Sequence, residues 1–525
     1  MFERVTRISA WVTIALILGV GGVSLLSPWA LIGATWAAIS LLRVPRARQL
    51  LEFGVISLLV CLEFHQGAAS ACLLAWGLLV PLLSFLAPEK RVLKMNGMDR
   101  YMVCQDYPGV PANVHLFIDV KEPFDRGSVE RALLFIFREV PLARTTIREA
   151  FLGMERFVAK APESLPARVL TWLDEPISDS GSEHLDRRFD LRREFPLRVT
   201  HAPRAEGGYR LILTVQHSIA DGVGLVNLAQ LTLLSYASYR NGSVPSQPRL
   251  DSACHRYREL FRPRGLPWLV RMLKTHVRPM DKVGTRNASL LDDESPRPSP
   301  ISQMFVQLEP DTDQKLIQAT RESGFTRNDL LVTAIVRASD VFRSRRKRPN
   351  QLFRLLLPMN LRPILGLPEN CLQNFVGVVR SEFTPEEARS PELALLVSKK
   401  VRLGKDYEEA IETPVNLGFL SWALPPPVFR YVLKKFDQDP KSFFFSLIFS
   451  HVRLPKDSFA DPPGNVIENI SIRIPLTRQP GVAIGAASSD RKVTFCFTYL
   501  SAMVSETSIA EFVELFKREL GSLLS

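Results

Sequence analysis

The sequence predicts a mixed α/β protein of two lobes, preceded by a helical, strongly apolar region. Three observations carry this reading. The chain has 525 residues, more than one ordinary core accommodates. Short apolar runs alternate with stretches of helical period on both sides of a polar, proline-rich segment. The most apolar sequence is concentrated before Lys94. These divide the chain into residues 1–94, a membrane-anchoring region; 95–280, a first lobe; 281–301, a crossover linker; and 302–525, a second lobe.

The first region carries no charge from Ile8 to Leu42, although Pro28 interrupts it. A second stretch, Leu50 to Ala87, holds only Glu52, Glu63 and His65 among acidic and basic side chains. Each is longer than the roughly 20 residues one span needs, so each is expected to form a helical hairpin, turning near Pro28 and Gly67. Arg4 and Arg7, then Arg43, Arg46 and Arg48, then Lys90, Arg91 and Lys94 place three basic zones on one side. By retention of positive charge the expected location is the inner membrane, with the lobes cytoplasmic.

In the first lobe "NVHLFIDV" (113–120) reads as a strand and "DRGSVERALLFIFREV" (125–140) as a helix with Asp125 or Ser128 at its start. "YRLILTV" (209–215) is a strand entered from the turn signal "EGG". "GVGLVNLAQLTLLSYASYRNG" (222–242) is a helix ended by Asn-Gly. In the second lobe "SQMFVQLEP", "LFRLLLPMNLRP", "NFVGVVRSEF", "NISIRIP" and "KVTFCFTYLSAM" read as strands. "DTDQKLIQATRESG", "TRNDLLVTAIVRASDVFRS", "ELALLVSKKVRLGKDYEEAIE" and "SIAEFVELFKRELGSLL" read as helices.

Composition narrows function by exclusion. Hydrophobic residues at 46% and charged residues at 23% fit neither a disordered nor a wholly membrane chain. The net charge of +12 suits an anionic surface, an acidic carrier or a phosphorylated ligand. No zinc spacing, RNP-type motif or basic repeat points to nucleic acid. The six cysteines are scattered without a CxxC pair and read as free thiols. The eight histidines form no HxxxH or HExxH pattern, so no metal site is expected. The cluster "RSRRKRP" (343–349) is either a solvated helix end or a landing site for a membrane, a CoA phosphate or an acidic carrier.

One stretch carries chemistry. In "VQHSIADGVG", His217 ends an apolar strand, Asp221 follows four residues later and Gly222 opens a helix. An imidazole titrates near neutrality and can take and return a proton. Gly222 permits a positive φ or a close backbone approach. His-x-x-x-Asp-Gly between strand and helix, in the first half of a two-lobed α/β chain, resembles the chloramphenicol acetyltransferase-like superfamily. Within it the chain resembles most the wax ester synthase/diacylglycerol acyltransferase group. "TRNDLLVTAIVRA" with Asn328-Asp329, "PMNLRP" from Pro358, "NFVGVV" from Asn374 and the closing strand and helix follow that group's order. Two departures stand out. Gln216 occupies the position of the group's first histidine, and its late Asn-Val-Pro-Gly-Pro segment is represented only by "FSHVRLP", with Ser450 and His451.

The resemblance implies a two-lobed fold with a central tunnel and an O-acyltransferase activity. It implies no resident cofactor; the acyl donor is a CoA or acyl carrier protein thioester. His217 is the expected general base, and Asp221, Gly222 and Arg362 structure its loop. Gln216, Asn328, Asn360 and Ser450 are candidates for the tunnel wall or the oxyanion site. The acceptor is expected to be a lipid-like alcohol in contact with membrane lipids. Two alternatives remain open: an amide-forming, carrier-linked condensing enzyme, and a non-catalytic protein using the fold to bind lipid or a partner.

Overall fold

The computed structural model describes residues 92–93 and 95–525, except 151–152, 178–182, 247–249, 251–289, 291–299, 348–351, 407–409, 412–413, 416–423, 439–444, 455–465, 478–479 and 491. The expected hairpins, and nearly all of the linker, lie outside the described residues. The expected membrane location is corrected: no helix among the described residues is long and apolar enough to cross a membrane. The three 19-residue helices in this set, Gly222–Arg240, Arg327–Arg345 and Glu506–Leu524, instead bury apolar residues in the protein core.

The described elements form a two-lobed mixed α/β fold. The first lobe opens with β1 (Val92–Leu93), α1 (Gly97–Cys104), β2 (Asn113–Val120) and α2 (Arg126–Glu139). β3 (Thr145–Ala150), β4 (Gly153–Val158), β5 (Leu170–Trp172), β6 (Leu197–Pro203), β7 (Tyr209–Gln216) and α3 (Gly222–Arg240) follow. The second half contains β8 (Ile301–Gln307), α4 (Pro310–Glu322), α5 (Arg327–Arg345), β9 (Phe353–Asn360), β10 (Val376–Phe383) and α6 (Leu393–Asp406). It closes with α7 (Pro426–Gln438), β11 (Leu447–Arg453), β12 (Ile467–Arg473), β13 (Val482–Ser488), β14 (Val493–Leu500) and α8 (Glu506–Leu524).

Helix starts follow short-range hydrogen bonding. Asp125, not Ser128, caps α2 by accepting from the Ser128 amide. Thr326, not Asn328, caps α5, and Asp329 returns the bond to complete a capping box. α3 ends where the sequence says: Asn241 caps it and Gly242 takes φ +71°. α4 starts without a side-chain cap. Glu309 holds the cap position, and Asp313 accepts from the Val493 amide.

The first lobe is a five-stranded sheet in the order β12-β2-β7-β6-β5. Every residue of β2 is buried, and so are the last six of β7. Their pleat explains why. Leu211, Leu213 and Val215 face the core shared with α2 and α3, while Arg210, Ile212, Thr214 and Gln216 face the other way. That second face is covered by the other lobe: Phe305 of β8 stacks edge-on against Phe117 at 4.9 Å. A strand covered on both faces reads as a near-continuous apolar run, as "YRLILTV" does.

The second lobe is a six-stranded sheet, β10-β9-β11-β13-β14-β8, packed by α5, α6 and α8. One strand does not keep to its half of the chain. β12, from the C-terminal half, pairs antiparallel with β2 and completes the first sheet. The crossover is pinned where it passes the second sheet. A Cβ on Gly485 would stand 2.3 Å from the Ile472 carbonyl oxygen, and Thr494 donates to the Ile470 carbonyl. Only glycine allows the two backbones to approach so closely.

The basic segment 343–349 is described as far as Lys347. Arg345 and Arg346 both reach Glu511 of α8, at 3.1 and 3.0 Å, and Arg346 lies over the Phe342 ring. These residues brace α5 against α8.

Candidate active site

His217 leaves β7 at the end that faces the other lobe. Its amide donates to the Ala112 carbonyl at 2.8 Å, and the preceding amide of Gln216 donates to the Pro196 carbonyl. The loop from Ser218 to Asp221 then folds back beneath the imidazole. Its Ala220 carbonyl lies 3.0 Å from Nδ1 of His217. A carbonyl only accepts, so Nδ1 carries the hydrogen and Nε2 keeps its lone pair. Asn374 stands 3.3 Å from the same Nδ1, but its amide has a shorter bond, 3.0 Å, to the His217 carbonyl oxygen. The imidazole is 7% exposed, and burial lowers its pKa below the ordinary 6.5, partly opposed by Asp221. His217 is therefore a neutral imidazole at neutral pH, with its basic nitrogen free of Nδ1's partner.

Asp221 faces away from this nitrogen and caps α3 through the Gly224 amide. Its carboxylate also accepts from the Phe375 amide and forms a bidentate pair with Arg362, at 2.8 and 3.1 Å. Arg362 is wholly buried and its five donors are all used: twice on Asp221, then on Asn360 Oδ1 and the carbonyls of Cys371 and Gln373. A buried pair with every lone pair and proton matched is the case in which attraction offsets desolvation. It ties the first lobe's histidine loop to the second lobe. Two glycines permit the approach. A Cβ on Gly224 would meet the Leu372 carbonyl at 2.3 Å, and one on Gly222 would meet Val452 at 2.8 Å. Close approach, rather than positive φ, is what Gly222 supplies.

The expected tunnel or oxyanion candidates separate. Gln216 is fully buried with its amide engaged: it donates to the Met102 carbonyl and accepts from the Ser218 amide. These bonds brace the loop. Asn360 accepts from Arg362 and belongs to the Asp221 network. Asn328 is half-buried in the first turn of α5. Ser450 is half-buried on β11 and shares a strand face with Val452, the side chain that reaches Gly222. Its neighbour His451 lies on the opposite face, 2.7 Å from Ser488 Oγ. No hydrogen bond joins Asn328, Asn360 or Ser450 to His217 among the described residues.

Several residues of the site carry no motif. Asp99 and Arg156 form a second buried pair at 3.4 Å, and Arg156 donates to the Ser218 carbonyl at 2.6 Å. Gln373 donates to Asp99, and Asn96 donates to the Asn374 carbonyl. The one local signal was the Asn96-x-x-Asp99 spacing at the start of α1, which forms a capping box.

No family model matches the chain. Over 246 residues, 43% of this chain, it is 26% identical to a probable non-canonical nonribosomal peptide synthetase, CymA, of Salinispora arenicola. The chain spans 3% of that relative's length. Solved structures align over most of it. The first condensation domain of the CDA synthetase has a TM-score of 0.59 at 13% identity, covering 83% of this chain and 97% of that one. Trichothecene 15-O-acetyltransferase from Fusarium sporotrichioides has a TM-score of 0.58 at 14% identity, covering 83% and 96%. The epimerization domain from the third module of tyrocidine synthetase B has a TM-score of 0.54 at 13% identity, covering 83% and 97%. The chain thus has the two-lobed condensation-domain-like fold, which these domains share with acetyltransferases. Nothing among these proteins reaches the narrower wax ester synthase/diacylglycerol acyltransferase group.

Proposed function

We propose that the chain is an acyl-transfer enzyme that condenses a thioester-bound acyl group with an amine or hydroxyl, using His217 as general base. The observation that carries the reading is the hydrogen bond from Nδ1 of His217 to the Ala220 carbonyl, which leaves Nε2 as the proton acceptor. Nε2 takes the proton from the acceptor as its nitrogen or oxygen attacks the thioester carbonyl carbon. The carbon–sulfur bond then breaks, and the departing thiolate takes the proton back from Nε2. No acyl-enzyme and no resident cofactor enter this sequence. Asp221 and Arg362 take no part in proton transfer; they hold the loop in the shape that aims the imidazole.

A donor linked to a carrier protein is favoured over free acyl-CoA. The partial similarity to a nonribosomal peptide synthetase and the structural likeness to condensation domains support this choice. Transfer to a hydroxyl is the second reading, and the structural likeness to a 15-O-acetyltransferase keeps it in place. The lipid-like acceptor rested on the apolar N-terminal region and on the resemblance to the wax ester synthase/diacylglycerol acyltransferase group, and is not carried further. In the proposed arrangement residues 95–280 and 302–525 are the two lobes, joined across 281–301, with β12 returning to the first.

The test is thiol release from a panel of acylated carrier proteins, acyl-CoAs and acyl-pantetheines, with amine and alcohol acceptors, followed by mass spectrometry of the product. Acceptor-dependent release by the parent and not by His217→Ala is expected. Release that is unchanged in His217→Ala would exclude the base role.

A further inference from the structure

The histidine loop is held by two buried arginines, and only one, Arg362, pairs with the aspartate of the His-x-x-x-Asp-Gly motif. We propose that Arg156, held by Asp99, is a second positioning residue for His217; the proposal rests on the reading of His217 as the base.

Arg156 and Asp99 are both wholly buried. Arg156 comes from β4, in a three-stranded sheet separate from the one that carries His217. Its guanidinium spans two targets, Asp99 on α1 and the carbonyl of Ser218, the residue after His217. From the other side Asn374 donates to the carbonyl of His217 itself. The two successive carbonyls that follow the imidazole's Cα are therefore each fixed by a side chain from a different part of the chain. The two supports are joined. Gln373 donates to Asp99 at 2.7 Å, Asn96 donates to the Asn374 carbonyl at 2.7 Å, and Asn96 and Asp99 cap each other at the start of α1.

The quality of the pair argues that its role is positional. The Asp221–Arg362 pair leaves nothing unmatched. In the Asp99–Arg156 pair, Asp99 Oδ1 and Arg156 Nε are buried without a hydrogen-bond partner among the described residues. An ion pair out of water with unmatched atoms does not recover its desolvation, so packing apolar groups there would stabilise the fold better. What an apolar replacement cannot do is hold the Ser218 carbonyl and, through it, the direction of the imidazole. Burial acts on Asp99 in the same sense: it raises the carboxyl to about 6, against the opposing pull of Arg156, Gln373, Asn96 and Arg100. Asp99 is thus ionised at neutral pH and takes up a proton in mild acid, which weakens its hold on Arg156.

The test uses Arg156→Lys, which keeps the charge but is too short and too simple to span both targets. The primary readout needs no substrate: the nitrogen chemical shifts of His217 through a pH titration of the full chain labelled in histidine. A shift in its tautomer balance or in its titration midpoint is expected, with the melting temperature close to the parent's. With an active donor and acceptor pair in hand, kcat should fall on the order of 10- to 100-fold with KM little changed. A purely structural role would lower stability and leave His217's shifts alone. Gln373→Met, which removes one support of Asp99, should move the same shifts to a smaller extent and decides the matter if Arg156→Lys does not fold. Parental His217 shifts in the folded Arg156→Lys protein, or failing that in Gln373→Met, would overturn the proposal. Loss of activity in His217→Ala beside an unaffected Arg156→Lys would sink this inference alone and leave the base reading standing.

Discussion

At the scale of the residue, the site turns on which nitrogen of His217 holds its proton. The Ala220 carbonyl sets that, and burial keeps the ring neutral. The sign of the pH dependence follows. A buried histidine with a lowered pKa is a working base across neutrality, and its activity fails only as pH drops below the ordinary 6.5. The same shift makes the folded state bind fewer protons than the unfolded one, so stability from this group is also lost in acid. A pH–rate profile of kcat/KM should show its acid limb below 6.5; a limb at or above that value would contradict the burial argument. Asp221 makes a second prediction. Asp221→Asn leaves the wholly buried Arg362 without a counter-charge, which should destabilise by about 3–5 kcal/mol and lower activity. Chemical denaturation measures it, and an unchanged midpoint would show that the pair is dispensable. The sequence motif already marked His217, Asp221 and Gly222, and the strand-end arginine was a reasoned partner. Asp99 and Arg156 were not legible, because a side chain that acts through a backbone carbonyl 62 positions away leaves no local pattern.

At the scale of the element, the periodicity arguments located seven of the fourteen described strands and six of the eight named helices, because amphipathic spacing and caps are local. β1, β3 to β6, β11 and β13 were not called, and for β13 the reason is physical. β13, "VAIGAAS", is buried along its whole length and made of small residues, so it shows no alternation. β12 was legible as a strand, but not its destination: pairing in a sheet from the other half of the chain is a long-range choice. Gly485 is where that choice is enforced. Gly485→Ala should push β13 and β12 apart and cost roughly 1–3 kcal/mol by overpacking. A thermal melt as stable as the parent's would mean that the crossover yields without cost. A smaller effect is expected at the start of α5. Thr326→Ala removes half of the capping box and should cost about 0.5–2 kcal/mol, measured by the same melt, with little change in activity.

At the scale of the whole molecule, the two lobes share more than a cleft. β12 completes the first sheet from the second half of the chain, Arg362 reaches from the second lobe into the histidine loop, and Phe305 covers the first sheet's open face. The His217 loop is therefore assembled only when both halves are folded, and a lobe expressed alone is expected to lack that structure. The two-lobed fold was readable from the order of motifs along the chain. The membrane location was not: it was inferred from hydropathy and the placement of basic residues, and no described helix is long and apolar enough to cross a membrane. The most direct measurement of His217's role as base is the single-turnover rate of acyl transfer from an acylated carrier protein or acyl-CoA, in the parent and in folded His217→Ala. Loss of the general base should slow transfer by about 100- to 10,000-fold with the fold intact. Parental single-turnover transfer in the His217→Ala protein would contradict that role.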